Sequence, residues 1–345
     1  MAAAPDPKKS PKPSGTGRRD PALAALIGKL ADGQAHSGNV LANKLGVTRA
    51  AVWKQIERLR ELGLGVSAPP GSGYRLDVPI DLLDGLQIAH RLAPLVRARL
   101  GEVAVHWQLD STSSELLRRA ADDPRDAVAC VAEIQTQGRG RRGRAWQTPL
   151  GGGIALSLLQ RFEGGMASLA GLSLVVGIAV VQALEDLGIP DVGLKWPNDI
   201  LARGAKLAGI LVELGGDALG PCHAVIGVGV NVRLGARTAA AIDQPWMDLA
   251  TLADGQPPSR NAVVAQVLTR LVAALDRFAL EGFAGFADDY AKRDVLRDRR
   301  VSVLRSDGRS EGIVRGVDAR GALRVTFADG ERAVDSGEVS IRGTA

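Results

Sequence analysis

The chain contains few of the residues that build disulfide scaffolds and metal centres. Its 345 residues include two cysteines and four histidines, and 3% of them are aromatic. No metal-ligand spacing surrounds Cys130 or Cys222, so we predict reduced core thiols in a cytoplasmic protein and no metal site built by the chain. No apolar run approaches the roughly 20 residues of a membrane-spanning helix, and we expect no contact with a membrane.

Positive charge is in excess mainly at the N terminus. Residues 1–20 contribute +3 of the formal net charge of +5 (five Lys and Arg against two Asp), which leaves +2 for the rest of the chain. The overall charge therefore does not predict a nucleic-acid-binding surface, and such a prediction depends on local basic patches. Residues 1–20 are rich in Pro, Lys and Ser without the apolar centre of a secretory signal, which predicts a disordered tail.

Residues 21–78 are predicted to form a winged helix-turn-helix domain that binds DNA. Apolar stripes predict helices over 23–30 and 38–45, the second burying Val40, Leu41 and Leu45. A third helix starts after Thr48 as N-cap, and two short strands that resemble a wing follow it.

The outer surface of this domain carries a local cluster of basic and small residues. The candidates for DNA contact are Gly38, Thr48, Arg49, Ala50, Lys54, Arg58, Tyr74 and Arg75. Arginine and lysine at these positions suit phosphate contacts. The same pattern also fits a three-helix interaction module with solvated basic side chains.

Residues 79–295 alternate strands with helices, and residues 296–345 change to short strands with turn signals. A helix is predicted over 172–187, and single strands over 192–201, 206–214 and 224–232. The short connections between these strands predict a mixed or antiparallel sheet rather than a parallel one. The C-terminal turns, including 307–308 and 329–330, predict a small β-barrel.

Seven consecutive positions, 138–144, hold only Gly and Arg and are followed by Ala145 and Trp146. We name residues 138–146 the Gly/Arg loop. Arginine supplies forked donors that match phosphate and carboxylate oxygens, and glycine lets the backbone approach a ligand. A disordered basic run is the alternative. Predicted buried strands at 128–134 and 151–159 flank the loop on both sides, which favours an ordered ligand site.

Three further patterns are compatible with a ligand pocket. Hydroxyl residues at 111–113 precede a helix expected to begin near Ser114, where they suit a polar head group or an anion, or serve only as N-caps. Lys195 and Lys206 flank one loop, and with the arginines they would form an anion pocket. The glycines of 227–231 point to one face, which suits a flat ligand or close backbone packing.

Taken together, these motifs resemble those of the bifunctional biotin–protein ligases that are also biotin-operon repressors. The matching segments are Gly-Arg-Gly-Arg-Arg-Gly-Arg at 138–144, Lys-Trp-Pro-Asn-Asp at 195–199, Lys-Leu-Ala-Gly-Ile-Leu-Val-Glu at 206–213 and Gly-Val-Gly-Val-Asn at 227–231. The resemblance implies an α+β multidomain protein with a winged helix-turn-helix at 21–78, a class II synthetase-like catalytic domain with a mixed sheet at 79–295 and an SH3-like β-barrel at 296–345.

The resemblance also implies a two-step reaction with ATP and biotin as substrates and Mg²⁺ present. Biotin is activated as biotinyl-5′-AMP and then transferred to a lysine of the biotin carboxyl carrier protein of acetyl-CoA carboxylase. The adenylate is expected to act as corepressor for a homodimer on the operator DNA of biotin-synthesis genes. A ligase for lipoate, a biotin sensor without turnover and a ligase with a vestigial DNA-binding domain are the alternatives.

Residue roles follow from matching motif to motif. The expected biotin contacts are Ser111, Thr112, Ser113, Gln135, Gly138, Arg139, Gly140, Arg141, Lys195, Gly227 and Gly229. The expected ATP or adenylate contacts are Arg141, Arg144, Trp146, Asn198, Asn231 and Trp246. Lys195, Arg141 and Arg144 are the catalytic candidates. Ser113 departs from the family, which usually has Asn there, so one polar contact to the biotin head group is altered.

The Arg141→Ala variant is expected to release the adenylate faster than the unaltered protein. A charge-assisted hydrogen bond contributes about 1.5–3 kcal/mol, which corresponds to roughly a 10-fold to 100-fold increase in dissociation rate. The measurement is the dissociation rate of preformed biotinyl-5′-AMP. An unchanged rate would remove Arg141 from the site.

Overall fold

The computed structural model of the chain describes residues 21–101, 103–122, 127–305, 308–335 and 338–341. The predicted tail at 1–20, Asp307 of a predicted turn and the last four residues lie outside this part of the chain. Among the described residues, no helix has the length and apolar character needed to cross a membrane.

The N-terminal unit is a three-helix domain with a two-stranded hairpin. Its elements are α1 (Pro21–Leu30), α2 (Gly38–Leu45), α3 (Arg49–Glu61), β1 (Val66–Ser67) and β2 (Arg75–Leu76). The Thr48 hydroxyl accepts from the Ala51 amide at 3.2 Å, so the predicted N-cap is confirmed. Arg60 donates to the Val66 carbonyl at 2.8 Å, which fastens the wing to α3.

The prediction that Val40 faces inward on α2 was wrong. Val40 is 43% exposed, whereas Leu41 and Ala42 are buried and Leu45 is half-buried. Leu41, Ala42 and Leu45 lie within about 100° of one another around the helix, whereas Val40 lies about 100° beyond Leu41 and outside that face.

The central unit is a seven-stranded mixed sheet covered by helices on both faces. In chain order its elements are α4 (Gly85–Arg91), α5 (Pro94–Leu100), β3 (Ala104–Leu109), α6 (Thr112–Arg119), β4 (Ala127–Gln135), β5 (Gly153–Phe162), α7 (Leu172–Asp186), β6 (Val192–Lys195), β7 (Asp199–Ala202), β8 (Ala205–Gly216), β9 (Cys222–Asn231), α8 (Ala236–Ala240), α9 (Leu249–Leu252), α10 (Arg260–Glu281) and α11 (Ala287–Ala291). The strand order is β3-β4-β5-β9-β8-β7-β6. Only β3 and β4 pair in parallel, so the predicted mixed sheet is confirmed.

Two boundaries in this unit differ from the prediction. Residues 192–201 are not one strand but the hairpin β6–β7, in which Lys195 pairs with Asp199. Pro197 lies in the turn, where its missing N–H leaves no gap in a strand ladder. Helix α6 begins at Thr112 rather than near Ser114, so two of the predicted hydroxyl residues lie in its first turn.

Alternate residues of the central strands enter two different cores. Val128 and Cys130 pack against α6, whereas Ala129 and Val131 face the larger core that includes α7 and α10. Burial raises the pKa of the Cys130 thiol to about 12, which matches the expectation of a reduced core residue.

The C-terminal unit is a five-stranded antiparallel sheet. Its strands are β10 (Arg300–Arg305), β11 (Gly308–Val317), β12 (Leu323–Phe327), β13 (Gly330–Val334) and β14 (Glu338–Ile341), in the order β13-β12-β11-β10-β14. The four predicted strands are confirmed, and β14 was not predicted. The Trp196 indole donates to the Gly321 carbonyl at 3.1 Å and joins this sheet to the β6–β7 hairpin.

A buried ion pair fixes the segment that joins the first two units. Arg260 on α10 donates to both carboxylate oxygens of Glu133 on β4 at 2.9 Å. Arg260 also donates to the carbonyls of Asp81 and Gly153, and Glu133 accepts from the Leu83 amide at 2.6 Å. These partners satisfy both charged groups. Asp81 and Leu83 belong to the linker between the two units, so the pair anchors this linker to strand β4.

Candidate active site

A cavity of about 680 Å³ opens where the Gly/Arg loop, the β6–β7 hairpin and strands β8 and β9 meet. The structure brings most of the predicted site residues together there. Those that line the cavity are Ser111, Thr112, Ser113, Gln135, Arg139, Gly140, Arg141, Arg144, Trp146, Lys195, Asn198, Gly227, Gly229, Asn231 and Trp246. Gly138 is a predicted residue that lies beside the cavity rather than on its wall.

The Gly/Arg loop is an ordered turn between β4 and β5. The Gly140 amide donates to the Arg144 carbonyl at 2.7 Å, and the Trp146 amide donates to the Gly138 carbonyl at 2.9 Å. Arg142 and Gly143 both have positive φ, 56° and 73°. A side chain at Gly138 would come within 2.5 Å of the Trp146 carbonyl oxygen, so the turn needs glycine there.

Arg139 and Arg141 have different surroundings. Arg139 donates to the Ser114 hydroxyl at 2.7 Å and to Glu213 at 3.1 Å, so its guanidinium braces the loop against α6 and β8. Arg141 reaches the Asn198 amide oxygen at 3.5 Å. Asn198 in turn donates to the Ile210 carbonyl at 2.7 Å, which holds the β6–β7 turn under Arg141.

Two lysines reach the cavity from neighbouring strands. Lys195 ends β6, and Lys206 lies near the start of β8, as the motif spacing predicted. The Lys206 ammonium pairs with Asp199 at 2.6 Å and lies 5.8 Å from the centre of the Trp146 ring. Lys206 was not among the predicted contact residues, although it lines the same cavity as Lys195.

Three glycines, Gly209, Gly227 and Gly229, form what we call the glycine floor of the cavity. Gly209 and Gly229 are directly paired across β8 and β9. A Cβ atom at Gly229 would lie 2.3 Å from the Trp146 indole, and one at Gly209 would lie 3.2 Å from it. The indole therefore lies flat against this floor and leaves no room for a methyl group.

Asn231 holds the wall next to this floor. Its amide group donates to the carbonyls of Lys206 at 3.3 Å and Met247 at 3.0 Å. The Met247 amide donates to the Lys206 carbonyl at 2.8 Å, so Trp246 is held at the mouth of the cavity. Both amide hydrogens of Asn231 are thus directed at the backbone.

The hydroxyl end of the cavity is a connected hydrogen-bond network. Ser111, Thr112 and Ser113 are buried, and the Ser111 hydroxyl makes no capping bond to α6, which argues against a purely N-cap role for it. The Gln135 amide oxygen accepts from the Thr112 amide at 2.8 Å and from the Thr112 hydroxyl at 3.2 Å. Ser157 of β5, fully buried, completes the network and was missed because it lies 45 residues from Thr112 in the chain.

Positive charge dominates the cavity wall. Seven basic side chains line it against two carboxylates, Asp199 and Asp243. Such a concave, basic wall concentrates anions and stabilises charge that forms between them. In the part of the chain that the structure describes, no group of three or more His, Cys, Asp or Glu is placed to hold a metal ion.

The C-terminal sheet supplies one wall that the sequence analysis did not anticipate. Ser302, Leu304, Arg309 and Val339 line the cavity from β10, β11 and β14. The motifs of this region contain no charged pattern that marks such a role, since the contact depends on how the sheet packs on the β6–β7 hairpin.

The predicted DNA-contact residues lie on or beside α3 and the wing. Arg49, Ala50, Lys54, Arg58 and Arg75 are exposed, as is Thr48, whose hydroxyl caps α3. Tyr74 is half-buried and packs on Gly38, where an added Cβ would meet the Tyr74 ring at 3.2 Å. Trp53, not singled out from the sequence, is 56% exposed on α3.

A basic cavity with a hydroxyl-lined end, next to a helix-turn-helix unit, suits a ligase that activates carboxylic acids and carries a DNA-binding module. The family models agree with this division. Residues 107–231 match the biotin/lipoate A/B protein ligase family, residues 24–75 an HTH domain and residues 298–342 the biotin protein ligase C-terminal domain.

The chain belongs to the family of bifunctional biotin ligase/repressors. It is 41% identical to the bifunctional ligase/repressor BirA of Salmonella typhimurium, over 92% of this chain and 96% of that protein. It is 40% identical to the Escherichia coli protein of the same name, with the same coverage. The biotin protein ligase of Aquifex aeolicus in complex with biotin and ATP has a TM-score of 0.59 at 28% identity and covers 70% of this chain and 99% of its own.

The Gly229→Ala variant is expected to bind biotin about tenfold more weakly. Its methyl group displaces the Trp146 indole from the glycine floor, and overpacking of this kind costs about 1–3 kcal/mol. Gly235→Ala is the matched control, because a Cβ there would meet only the Gly63 carbonyl oxygen at 3.9 Å. Calorimetric titration with biotin measures both, and equal affinities would contradict the assigned role of the floor.

Proposed function

We propose that this protein attaches biotin to the biotin carboxyl carrier protein of acetyl-CoA carboxylase in the cytoplasm, and that its adenylate-bound form represses biotin-synthesis genes. The observation that carries the ligase proposal is the seven basic side chains around one cavity with a polar, buried end. A pocket of this kind suits the meeting of a carboxylate and a triphosphate.

The reaction requires two group transfers. A biotin carboxylate oxygen attacks the α-phosphorus of ATP, the bond to the β-phosphate oxygen breaks, and pyrophosphate leaves. The carrier lysine amine then attacks the acyl carbon, the bond to the AMP oxygen breaks, and the amine loses a proton. Both anions must approach closely in the first step, so charge neutralisation and positioning lower its barrier.

The geometry supports a division of labour in the cavity. We infer that the biotin head group lies at Ser111, Thr112, Ser113 and Gln135, beside Gly227 and next to the Trp146 indole. Lys206 and Lys195 then meet the carboxylate and α-phosphate, and Arg141 and Arg144 meet the phosphate oxygens. Lys206 is added to the expected set because its ammonium lies beside Trp146 and the glycine floor.

Two residues take supporting roles in this proposal. Arg139 positions the loop through Ser114 and Glu213, with backbone atoms of the loop facing biotin. Asn231 holds Trp246 at the adenine end through its bonds to Lys206 and Met247.

Mg²⁺ would enter with ATP, whose phosphate oxygens are its preferred ligands together with one or two carboxylates. Asp243 is the carboxylate of the cavity wall that would hold such an ion together with the ATP oxygens, because Asp199 is paired with Lys206 at 2.6 Å. When bound, the ion would neutralise phosphate charge.

The repressor proposal is based on α3 and the wing. Exposed Arg49, Lys54 and Arg58 supply phosphate contacts, and a homodimer would present two copies of α3 to the two halves of an operator. Adenylate binding would favour this dimer, which couples one ligand to two activities.

Biotin-dependent exchange between ATP and pyrophosphate tests the ligase proposal. Exchange is expected with biotin and not with lipoate, and Lys206→Ala and Lys195→Ala should each lower its rate about 100-fold through loss of charge stabilisation. Lys292→Ala, an exposed change at the end of α11 that lines no part of the cavity, is the control and should keep full activity. Exchange with lipoate alone would identify a lipoate ligase, and biotin binding without exchange a sensor.

Salt-titrated binding to DNA upstream of biotin-synthesis genes tests the repressor proposal. The adenylate-bound protein should bind this DNA more tightly than the free protein. Lys54→Ala removes one phosphate contact from each protomer, so it should reduce the salt slope of the dimer by about two. Lys29→Ala, exposed on α1 away from α3, is the control. Ligase activity without operator binding would contradict the repressor proposal and would indicate a vestigial DNA-binding domain.

A further inference from the structure

The buried hydroxyls at the head-group end of the cavity form one chain of hydrogen bonds. Ser113 lies 3.1 Å from Ser157, oxygen to oxygen, and the Ser157 hydroxyl donates to the Thr112 hydroxyl at 2.8 Å. The Thr112 hydroxyl donates to the Gln135 amide oxygen at 3.2 Å. Each hydroxyl has a single proton, so the direction of the whole chain depends on its end.

The end at Gln135 has only one possible orientation. The Thr112 backbone N–H, which can only donate, lies 2.8 Å from the Gln135 side chain, so the atom facing it must be the amide oxygen. The amide nitrogen points the other way and donates to the Thr148 hydroxyl at 3.3 Å. Gln135 is therefore an acceptor toward Thr112.

The direction of every other bond follows from that orientation. The Thr112 hydroxyl uses its proton on Gln135 and accepts the proton of Ser157. Ser157 then has no proton left for Ser113 and must accept from it. Ser113 thus spends its only proton inside the wall and presents lone pairs, and no donor, to the cavity.

We infer that Ser157, through Ser113, makes this end of the cavity select for a ring N–H. This inference rests on the proposed ligase function, because it concerns the acid that the same site accepts. The ureido ring of biotin carries N–H donors that match the Ser113 acceptor, whereas a dithiolane ring such as that of lipoate offers none. Discrimination is strong when a buried polar group is left unpaired by the wrong ligand.

The neighbouring backbone supports this reading. Gly227 lies so close to Ser113 that an added Cβ would come within 2.8 Å of its hydroxyl oxygen. The Ser113 side chain is therefore confined between the glycine floor and Ser157. Ser157 is a positioning residue here, since it acts through Ser113 and is not itself on the cavity wall.

The test compares biotin with its two cyclic carbamate analogues, in each of which a ring oxygen replaces one N–H with almost no change in shape. For the unaltered protein, calorimetric titration should give at least one carbamate an affinity about 100-fold below that of biotin, since an acceptor then faces an acceptor. In Ser157→Ala, the Ser113 proton is free to turn toward the ligand. The affinity of this variant for that carbamate should then lie no more than about tenfold below its affinity for biotin.

Thr269→Val, which removes a hydroxyl group of α10 outside the cavity, is the matched control and should keep the full loss of carbamate affinity. A Ser157→Ala variant that weakens biotin and both carbamates by the same factor would show a merely structural role and overturn the inference. Equal binding of biotin and both carbamates by the unaltered protein would also overturn it. Biotin binding without pyrophosphate exchange would instead contradict the proposed ligase while leaving the head-group test decisive.

Discussion

The meeting of two anions in one cavity is the constraint on which the rest of the structure depends. Seven basic side chains line this cavity and repel one another. The Gly/Arg loop supplies four of them, the β6–β7 hairpin and β8 supply the lysines, and the C-terminal sheet supplies Arg309. Internal partners hold several of these groups in place before any ligand arrives, among them Asp199 for Lys206 and Glu213 for Arg139. Preorganised charge of this kind is what group transfer between anions requires.

The same loop connects the cavity to the DNA-binding unit. Ile134 precedes the loop and Leu150 follows it, and both pack with the core of the three-helix domain. The Arg260–Glu133 pair fastens the linker of that domain to β4, one residue before Ile134. A ligand bound at the loop therefore lies close in the chain to two residues that pack against the helix-turn-helix unit.

Local patterns in the sequence were sufficient for most elements of the fold. Periodicity located α3 and α7, and the motif spacing placed Lys195, Lys206 and the Gly/Arg loop around one site. Residues 192–201 form a hairpin whose inner strand residues are buried, and the sequence pattern predicts the turn residues Pro197 and Asn198 between its strands as part of a single strand. Partners far away in the chain determine where the side chains of Arg139 and Asn231 point. They also bring Ser157 into the hydrogen-bond network, and no local sequence pattern predicts such contacts. The sequence therefore predicted which residues line one cavity, and the structure shows the contacts among them.

In the proposed reaction, biotin is activated by attack of its own carboxylate on the α-phosphate of ATP in this cavity. The most direct measurement starts from biotin labelled with ¹⁸O in both carboxylate oxygens, incubated with ATP, the protein and the biotin carboxyl carrier protein. Mass spectrometry of the released AMP should show one ¹⁸O in its phosphate, because the carboxylate oxygen stays with AMP when the carrier lysine attacks. Unlabelled AMP, or release of ADP and labelled inorganic phosphate, would contradict the account.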